Sequence, residues 1–317
     1  MRRKIKRRVK AKLGYYIARL KLAYLVKKSG VDKNTWIFFL APCSTGDVLF
    51  LCSLMASFKL KNGGKVAVIV RKNHASIVEM FCDVDFCISL NSISFECYEY
   101  TKISKSSIIK KGQLFMPHVV NESFSDSLLV LGYKNFNVVD VFKMMLRLDM
   151  NSKISQPDFR FCNAEKAKKF LADNDFNPNK TVILFPTAFT CHQINSDFWK
   201  NTIQSLTSLG FNILVNYLGD NDDFVFNQKN IVRINQSLDD VVALSLLCAG
   251  IISLRSGICD LLCFTDKKIV ALYPDDKSYK DFNLKNIFEQ RSNLLEIVLD
   301  KNCDQGLAEK EVLSFFS

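Results

Sequence analysis

The stretch Trp36-Ile37-Phe38-Phe39-Leu40-Ala41-Pro42-Cys43-Ser44-Thr45-Gly46-Asp47 and the residues after it decide the fold class. Its first five residues form a short apolar run rich in aromatic side chains, which predicts a buried strand. An amphipathic stretch follows from Val48 to about Lys61 and predicts a helix that ends at Asn62-Gly63-Gly64. The next strand is predicted at Lys65–Val70. This order is typical of a parallel sheet that helices cover on both faces.

The same alternation starts again after Gln156-Pro157-Asp158, a sequence typical of a domain linker. In the second half we expect helices between four strands, of which the fourth is expected to be the last: Thr181–Phe185, Asn212–Tyr217, Ile251–Leu254 and Lys268–Tyr273. A chain of 317 residues is long enough for two α/β domains. The sequence therefore predicts two tandem Rossmann-like domains, residues 31–157 and 158–317, with a cleft between them.

The net charge of +11 comes from the first 28 residues, which contain 12 of the 43 Lys/Arg and no acidic residue. The rest of the chain carries 31 basic side chains (43 less 12) against 32 acidic ones. Within residues 1–30, apolar side chains recur at helical spacing: Ile5, Val9, Leu13, Tyr16, Leu20 and Tyr24. This predicts a basic amphipathic helix without an apolar run long enough for a signal peptide or a membrane span.

Such a helix favours binding to an anionic membrane surface. Nucleic-acid binding and packing of the apolar stripe onto the body of the protein are the alternatives. We favour the membrane and expect no nucleic-acid partner, because no basic surface with interleaved aromatic residues recurs later in the chain. The eleven cysteines lie in apolar stretches, which favours buried thiols in a reducing compartment. Cys259 and Cys263 are the closest pair to a metal pattern, and no second pair completes it, so we expect no metal.

In open α/β sheets, ligands bind beyond the carboxyl ends of the strands. The first loop in such a position is Ser44-Thr45-Gly46-Asp47, where Gly46 allows a tight turn. Asp47 is a candidate general base that accepts a proton from an attacking hydroxyl, or else a residue that caps the following helix. His118, after the apolar run Leu114–Pro117, is the second candidate base, since a neutral imidazole can do the same work.

Three further loops lie in the second half of the chain. Thr187 follows the strand that ends at Phe185, where a hydroxyl and backbone N–H groups suit a diphosphate or form an ordinary strand-to-loop junction. In the loop Arg255-Ser256-Gly257, the guanidinium is expected to pair either with phosphate oxygens or with Asp260. Gly219-Asp220-Asn221-Asp222-Asp223 superficially resembles an Asp-x-Asp metal motif, but acidic turns are common on surfaces, so we assign no metal to it.

These motifs resemble the bacterial heptosyltransferase family, inverting glycosyltransferases of the GT-B fold. The resemblance spans about 36–273. It rests on five short motifs: Gly46-Asp47-Val48-Leu49, Val182-Ile183-Leu184-Phe185-Pro186 followed by Phe198-Trp199, Ile251-Ile252-Ser253-Leu254-Arg255-Ser256-Gly257, Asp260-Leu261-Leu262, and Val270-Ala271-Leu272-Tyr273. The chain departs from the family at Arg255, where an Asp is usual, and at Asp260, where a His is usual. The family's Lys upstream of the Trp is also not evident, with Gln193, Ile194 and Asn195 near its place.

The resemblance implies that Asp47 is the catalytic base and that the Ser256-Gly257 turn binds the donor phosphates. It also implies that the donor lies on the second domain and the acceptor on the first. It implies that no metal is required and that the last helix, about Leu307–Phe316, returns to the first domain. Besides the catalytic candidates Asp47 and His118, the residues expected to bind the nucleotide-sugar are Ser44, Thr45, Gly46, Thr187, Arg255, Ser256, Gly257 and Asp260.

The sequence thus predicts a glycosyltransferase that moves a sugar from a nucleotide-sugar to a surface-polysaccharide or lipooligosaccharide acceptor. We expect no cofactor beyond the nucleotide-sugar co-substrate. We expect a cytoplasmic protein that binds the inner face of the membrane through residues 1–28. Two alternatives remain open, a catalytically inactive membrane-associated scaffold and a nucleotide-sugar sensor.

Overall fold

The computed structural model describes residues 36–41, 44–90, 114–115, 137–188, 193–217, 228–288, 291–300 and 302–317, together with Leu20, Tyr24, Lys27, Lys28 and Gly30. The chain divides into two compact units, Met1–Asp158 and Phe159–Ser317. Each unit contains a parallel sheet with helices between its strands, so the predicted α/β fold class is confirmed. No helix in these described ranges is long and apolar enough to cross a membrane.

The first unit contains a four-stranded sheet in the order β3-β2-β1-β4, with every pair parallel. Its elements in chain order are β1 (Trp36–Ala41), α1 (Thr45–Ser53), α2 (Met55–Asn62), β2 (Lys65–Arg71), α3 (Ala75–Glu79), β3 (Phe86–Leu90), β4 (Leu114–Phe115) and α4 (Val138–Met145). The stretch expected to be one helix from Val48 to Lys61 is two helices that meet at Leu54. The two differ in burial, because α1 is buried almost throughout whereas α2 buries only Met55 and Phe58.

The second unit contains a six-stranded parallel sheet in the order β10-β9-β8-β5-β6-β7. Its strands are β5 (Thr181–Phe185), β6 (Asn212–Asn216), β7 (Ile231–Ile234), β8 (Gly250–Leu254), β9 (Lys268–Tyr273) and β10 (Leu294–Val298). Its helices are α5 (Ala164–Asp173), α6 (Ser196–Ser208), α7 (Leu238–Leu247), α8 (Gly257–Leu262), α9 (Asp276–Phe282), α10 (Lys285–Phe288) and α11 (Gln305–Phe316).

Two strands of this sheet were missed by the sequence patterns. The strand at Lys268–Tyr273 is not the last one, because β10 follows it, and β7 was not expected at all. Both are edge strands, and several of their residues are only half-buried. The interior strands β5 and β8 are buried along their whole length and therefore appear in the sequence as continuous apolar runs.

The core of the second unit lies between one face of its sheet and the helices α6 and α11. Alternate residues of neighbouring strands point to this face, as the period of two requires. The core includes Val182, Leu184, Ile252, Val270, Leu272, Phe198, Trp199, Ile203, Ala308, Val312 and Phe316. The resemblance implies that the last helix returns to the first domain. In the structure, this helix contributes three residues to the core of the second unit.

The described cysteines behave as small apolar side chains. Eight are free thiols, and five of these are buried: Cys52, Cys162, Cys248, Cys259 and Cys263. Burial raises the pKa of the Cys248 thiol to about 12, so it stays protonated at neutral pH. Buried, protonated thiols are poor nucleophiles and poor metal ligands.

Gly250, the first residue of β8, is the tightest of the glycines whose surroundings are described. A Cβ atom added there would lie 2.3 Å from the carbonyl oxygen of Lys268 and 2.9 Å from the ring of Phe316. The carbonyl belongs to the neighbouring strand β9 and cannot move without disturbing the sheet. Gly250 therefore permits the close approach of β8, β9 and α11.

We predict that Gly250→Ala lowers the free energy of unfolding by about 1–3 kcal/mol, the range for overpacking a filled core. Thermal and urea unfolding of the full chain measure this. Gly306→Ala is the matched control, because the Cβ atom there would meet only a side-chain oxygen of Asp304, at 3.2 Å, in the first turn of α11. A Gly250→Ala protein as stable as this control would contradict the packing argument.

Candidate functional site

The strand order of each sheet indicates where a ligand can bind. In the first unit β1 lies between β2 and β4, so the chain leaves β1 toward one side and later returns to its other side. Such a reversal leaves a crevice beyond the carboxyl ends of the strands. The loop from β1 to α1, which carries Ser44 and leads to Asp47, lies at this reversal. The first predicted loop is therefore placed where the fold favours binding.

Ser44 and Asp47 form a capping box at the start of α1. The Asp47 Oδ2 atom accepts hydrogen bonds from the Ser44 backbone N–H at 3.2 Å and from the Ser44 hydroxyl at 2.9 Å. The Asp47 backbone N–H donates to the Ser44 Oγ atom at 3.3 Å. Thr45 is the first helical residue, and Gly46, in the first turn, does not have the positive φ of a tight turn. The capping role considered from the sequence is thus present, and it fixes the position of a half-buried carboxylate.

His74 lies near Asp47 and was not singled out from the sequence. It is the last residue of a short 3-10 turn, Lys72–His74, that follows β2. It is only 6% exposed, and its Nδ1 atom has no hydrogen-bond partner in the part of the chain that the structure describes. Burial lowers the pKa of His74, Arg71 lowers it further, and Asp47 opposes them. The imidazole is therefore neutral at pH 7. The position of His74 shortly after β2, the strand next to β1, was the signal in the sequence that could have identified this residue.

In the second unit the same reversal occurs between β5 and β8, the two central strands. Phe185 at the end of β5 pairs with Ser253 near the end of β8. The loops after these two strands therefore start side by side. One loop carries Thr187, and the other carries Ser256 and Gly257; all three residues are half-buried. These two loops are far apart in the sequence, since Ser256 lies 69 residues after Thr187, and both were predicted to bind the donor.

Arg255 and Asp260 form a buried, bidentate ion pair in the second of these loops. The Arg255 Nη2 atom is 2.7 Å from Asp260 Oδ1, and Nη1 is 3.1 Å from Oδ2. The two residues are 7% and 3% exposed. Burial disfavours the charge of Arg255, but the carboxylate of Asp260 outweighs this effect and raises the pKa of the guanidinium. The pair considered as the alternative to a phosphate contact is therefore present, and a direct phosphate contact would have to share or break it.

The guanidinium also fixes the turn that follows β8. Its Nη1 atom donates to the carbonyl oxygen of Ser256 at 2.9 Å, and the Arg255 backbone N–H donates to Leu272 of β9 at 2.9 Å. Ser253 is buried, and its hydroxyl lies 3.5 Å from that of Ser256. Gly257 begins α8 without a positive φ. Gly257 therefore leaves the space beside the turn without a side chain.

Some predicted residues lie outside the described ranges. These are His118, the acidic loop Gly219–Asp223 and most of residues 1–28, of which the structure describes only Leu20, Tyr24, Lys27 and Lys28. Those four are helical, and Leu20 and Tyr24 are 71% and 63% exposed. Within the described ranges, no group of three or more His, Cys, Asp or Glu side chains has an arrangement that could hold a metal ion.

Comparisons with known proteins identify the fold but no close relative. No protein-family model matches the sequence, and no curated protein matches it. Solved structures do match over most of the chain. The E. coli ADP-heptose LPS heptosyltransferase II has a TM-score of 0.61 at 11% identity, with 88% of this chain and 98% of that one covered.

Two further solved structures agree with this match. A glycosyl transferase family 9 protein from Veillonella parvula has a TM-score of 0.58 at 12% identity and covers 90% of this chain and 93% of its own. The E. coli heptosyltransferase WaaC, solved with ADP, has a TM-score of 0.54 at 13% identity and covers 88% and 100%. The chain therefore has the GT-B fold of the heptosyltransferases, and the resemblance inferred from its sequence motifs is confirmed at the level of the fold.

Proposed function

We propose that this protein is a glycosyltransferase that moves a sugar from a nucleotide-sugar to a hydroxyl group of a saccharide acceptor. The observation that carries the proposal is the meeting of the loops after β5 and β8 at the reversal of the second sheet, in a chain with the fold of heptosyltransferases. Similar structures include heptosyltransferases solved with ADP and with an ADP-sugar analogue. A surface-polysaccharide or lipooligosaccharide acceptor is the class that these neighbours favour.

Asp47 is the proposed catalytic base. A sugar hydroxyl is a poor nucleophile until its proton leaves as the new bond forms. In the proposed step, the acceptor oxygen bonds to the anomeric carbon of the donor while the bond from that carbon to the diphosphate oxygen breaks. The proton passes to the Asp47 carboxylate, and the nucleoside diphosphate leaves. A single displacement of this kind inverts the configuration of the anomeric carbon and needs only one carboxylate.

The donor diphosphate is proposed to bind at the second reversal. The hydroxyl groups of Thr187 and Ser256 can donate hydrogen bonds to phosphate oxygens. The first N–H groups of a helix have no acceptor within it, so those at Gly257 suit an anion that reaches the same turn. Arg255 and Asp260 are proposed to keep this turn in place. Hydrogen-bond donors of this kind stabilise the leaving diphosphate without a metal ion, so we propose metal-independent transfer.

Residues 1–28 are proposed to hold the protein at the inner, anionic face of the cell membrane. The described residues Leu20 and Tyr24 support this, because they belong to the apolar stripe of the predicted helix and both are exposed. An apolar stripe that packed on the body of the protein would be buried at these positions. Lipid headgroups can cover such a stripe while the basic residues attract the anionic surface.

An inactive scaffold or a nucleotide-sugar sensor would use the same fold without turnover. Thermal-shift assays with UDP-glucose, GDP-mannose, ADP-glucose and TDP-glucose separate these possibilities. Binding at 100 times the Kd stabilises a protein by about 2.7 kcal/mol, which such an assay resolves. Binding followed by release of the nucleoside diphosphate supports the transferase, binding without turnover supports the sensor, and no binding supports the scaffold.

We predict that Asp47→Asn lowers the transfer rate roughly 100-fold or more, because a positioned base contributes about 10²–10⁴-fold. Donor affinity and melting temperature should change little, since an asparagine can still accept the hydrogen bond from Ser44. Release of nucleoside diphosphate measures the rate.

Asp140→Asn is the matched control for this variant. Asp140 occupies the same position in the capping box of α4, where it accepts from the Asn137 backbone N–H at 3.2 Å. Its variant should keep normal turnover. The wild-type rate is measured with and without EDTA, and a rate that collapses with EDTA and returns with Mg²⁺ or Mn²⁺ would refute metal independence. Near-normal turnover of Asp47→Asn together with loss in His118→Ala would move the base to His118.

We predict that Arg255→Ala destabilises the protein by about 3–5 kcal/mol, because it leaves the buried Asp260 carboxylate without its partner. Donor affinity should fall at least tenfold, measured below the melting temperature of the variant. The double variant Arg255→Met, Asp260→Leu separates the two roles of Arg255, since an apolar pair can restore stability. Recovered stability with donor affinity still lost means that the guanidinium serves the donor site beyond its contribution to stability, by contacting the donor or by holding the Ser256 turn. Unchanged donor affinity in both variants would remove Arg255 from the donor site.

We predict that the full chain sediments with vesicles that contain anionic lipid and that high salt releases it, because salt screens the attraction of its basic residues. A chain without residues 1–28 should stay in solution with the same vesicles. Neutral vesicles are the control. A truncated chain that still sediments with anionic vesicles, or a full chain that prefers nucleic acid, would show that this segment is not a membrane anchor.

A further inference from the structure

A group of buried polar side chains lies beside the loop that follows β8, and the proposed reaction does not by itself require it. Tyr273, the last residue of β9, is fully buried, and its hydroxyl oxygen lies 2.5 Å from the Oε1 atom of half-buried Glu296 on β10. Burial raises the pKa of Tyr273, Arg255 opposes this, and Glu296 raises the pKa again. The phenol therefore remains protonated and donates to the carboxylate.

Both side chains also hold the main chain of the short segment between α9 and α10. The Leu284 backbone N–H lies 2.6 Å from Glu296 Oε1 and 3.2 Å from the Tyr273 hydroxyl oxygen. The Lys285 backbone N–H donates to Glu296 Oε2 at 3.3 Å. These donors are at the start of α10, where N–H groups have no acceptor within the helix. Tyr273 and Glu296 thus hold the segment Phe282–Lys285 against the end of β9 and the middle of β10.

Arg255 holds the same segment from the loop after β8. Its Nε atom donates to the carbonyl oxygen of Phe282 at 3.0 Å, while the rest of the guanidinium pairs with Asp260 and bonds to Ser256. The Tyr273 ring packs edge to face on Tyr279 of α9, with ring centroids 5.2 Å apart. One network therefore joins the loops that follow β8 and β9.

Stability alone is a poor explanation of this network. Buried ion pairs lose their hydration, and well-packed apolar residues in their place are often as stable or more stable. Charged and polar groups instead restrict the positions of the segments they join, because a bidentate pair and a carboxylate with several donors allow only a narrow range of geometry. The network lies at the carboxyl ends of β8 and β9, the edge at which ligands bind to such a sheet, and it extends to Glu296 in the middle of β10.

We propose that Tyr273 and Glu296 are positioning residues of the donor site. They hold the segment Phe282–Lys285 against Arg255, so that the Ser256-Gly257 turn keeps one position relative to the diphosphate of a nucleotide-sugar. This inference rests on the proposed function. It adds two residues that act through Arg255 and contact neither substrate.

The variants Glu296→Gln and Tyr273→Phe test this proposal in the full chain. The first keeps the size of the side chain and removes its charge, and the second removes only the hydroxyl group. Glu309→Gln is the matched control, because the Glu309 carboxylate accepts a hydrogen bond from the Ser205 hydroxyl between α11 and α6, in the same unit. The probe is whichever of UDP-glucose, GDP-mannose, ADP-glucose and TDP-glucose stabilises the wild type most.

Two quantities are measured for each variant at a temperature where it is folded. Hydrogen exchange of the Leu284 and Lys285 amides reports on the network whether or not a donor binds. We expect faster exchange at both amides in Glu296→Gln, and at Leu284 in Tyr273→Phe. The Kd and KM for the donor should rise about tenfold in both variants, with kcat at saturating donor changed by less than about twofold. In the double variant, the loss of donor-binding free energy should be smaller than the sum of the losses in the two single variants, because the two side chains share one network.

Three other outcomes contradict the proposal, and they can be told apart. Faster exchange with unchanged donor affinity makes the network a structural support only, and the proposed function survives. An equal loss of affinity in Glu309→Gln attributes the effect to general destabilisation. If Glu296→Gln does not fold, Tyr273→Phe decides the question alone. If the wild type binds none of the four probes, the proposed function and the donor role fail together, although the exchange result still shows whether the network holds the segment.

Discussion

The parallel direction of every strand is the constraint on which the rest of this structure depends. Because neighbouring strands run the same way, each sheet collects all the loops that follow its strands at one edge. The chain then reverses its strand order once in each sheet, beside β1 in the first unit and between β5 and β8 in the second. Backbone that diverges at these two points leaves room for a ligand. The loops that carry Ser44, Thr187 and Ser256 begin at these two points.

At the first reversal, the Asp47 carboxylate has a structural role, and it is also the proposed catalytic base. Asp47 completes the capping box of α1, so its position is set by two hydrogen bonds from Ser44. A base that the helix start already holds loses little conformational freedom when a substrate arrives. Next to it, burial and Arg71 lower the pKa of His74, so its imidazole is neutral at neutral pH. Structural and catalytic interpretations of Asp47 are therefore compatible.

At the second reversal, the positive charge of Arg255 is paired with a buried carboxylate of the same unit. The guanidinium of Arg255 is shared between Asp260, Ser256 and Phe282, and each contact fixes a different part of the chain. Its pairing explains how this loop keeps its form although it departs from the motif of the heptosyltransferase family. Arg255 and Asp260 stand where that motif usually has Asp and His. In this chain the two residues form an ion pair with each other within the second unit. In the proposed donor site, phosphate binding is then left mainly to hydroxyl and backbone donors.

The sequence by itself determined the α/β alternation and the buried strands. Runs such as Val182–Phe185 and Ile251–Leu254 are apolar throughout because both faces of an interior strand are covered, and this is visible locally. The half-exposed edge strands β7 and β10 leave no such run and were missed. Only the tertiary structure decided which partner Arg255 takes and that His74 lies near Asp47. It also decided that Tyr273, Leu284 and Glu296 meet. These groups are separated along the chain and come together through strand order and register, which depend on long-range pairing and not on the local pattern.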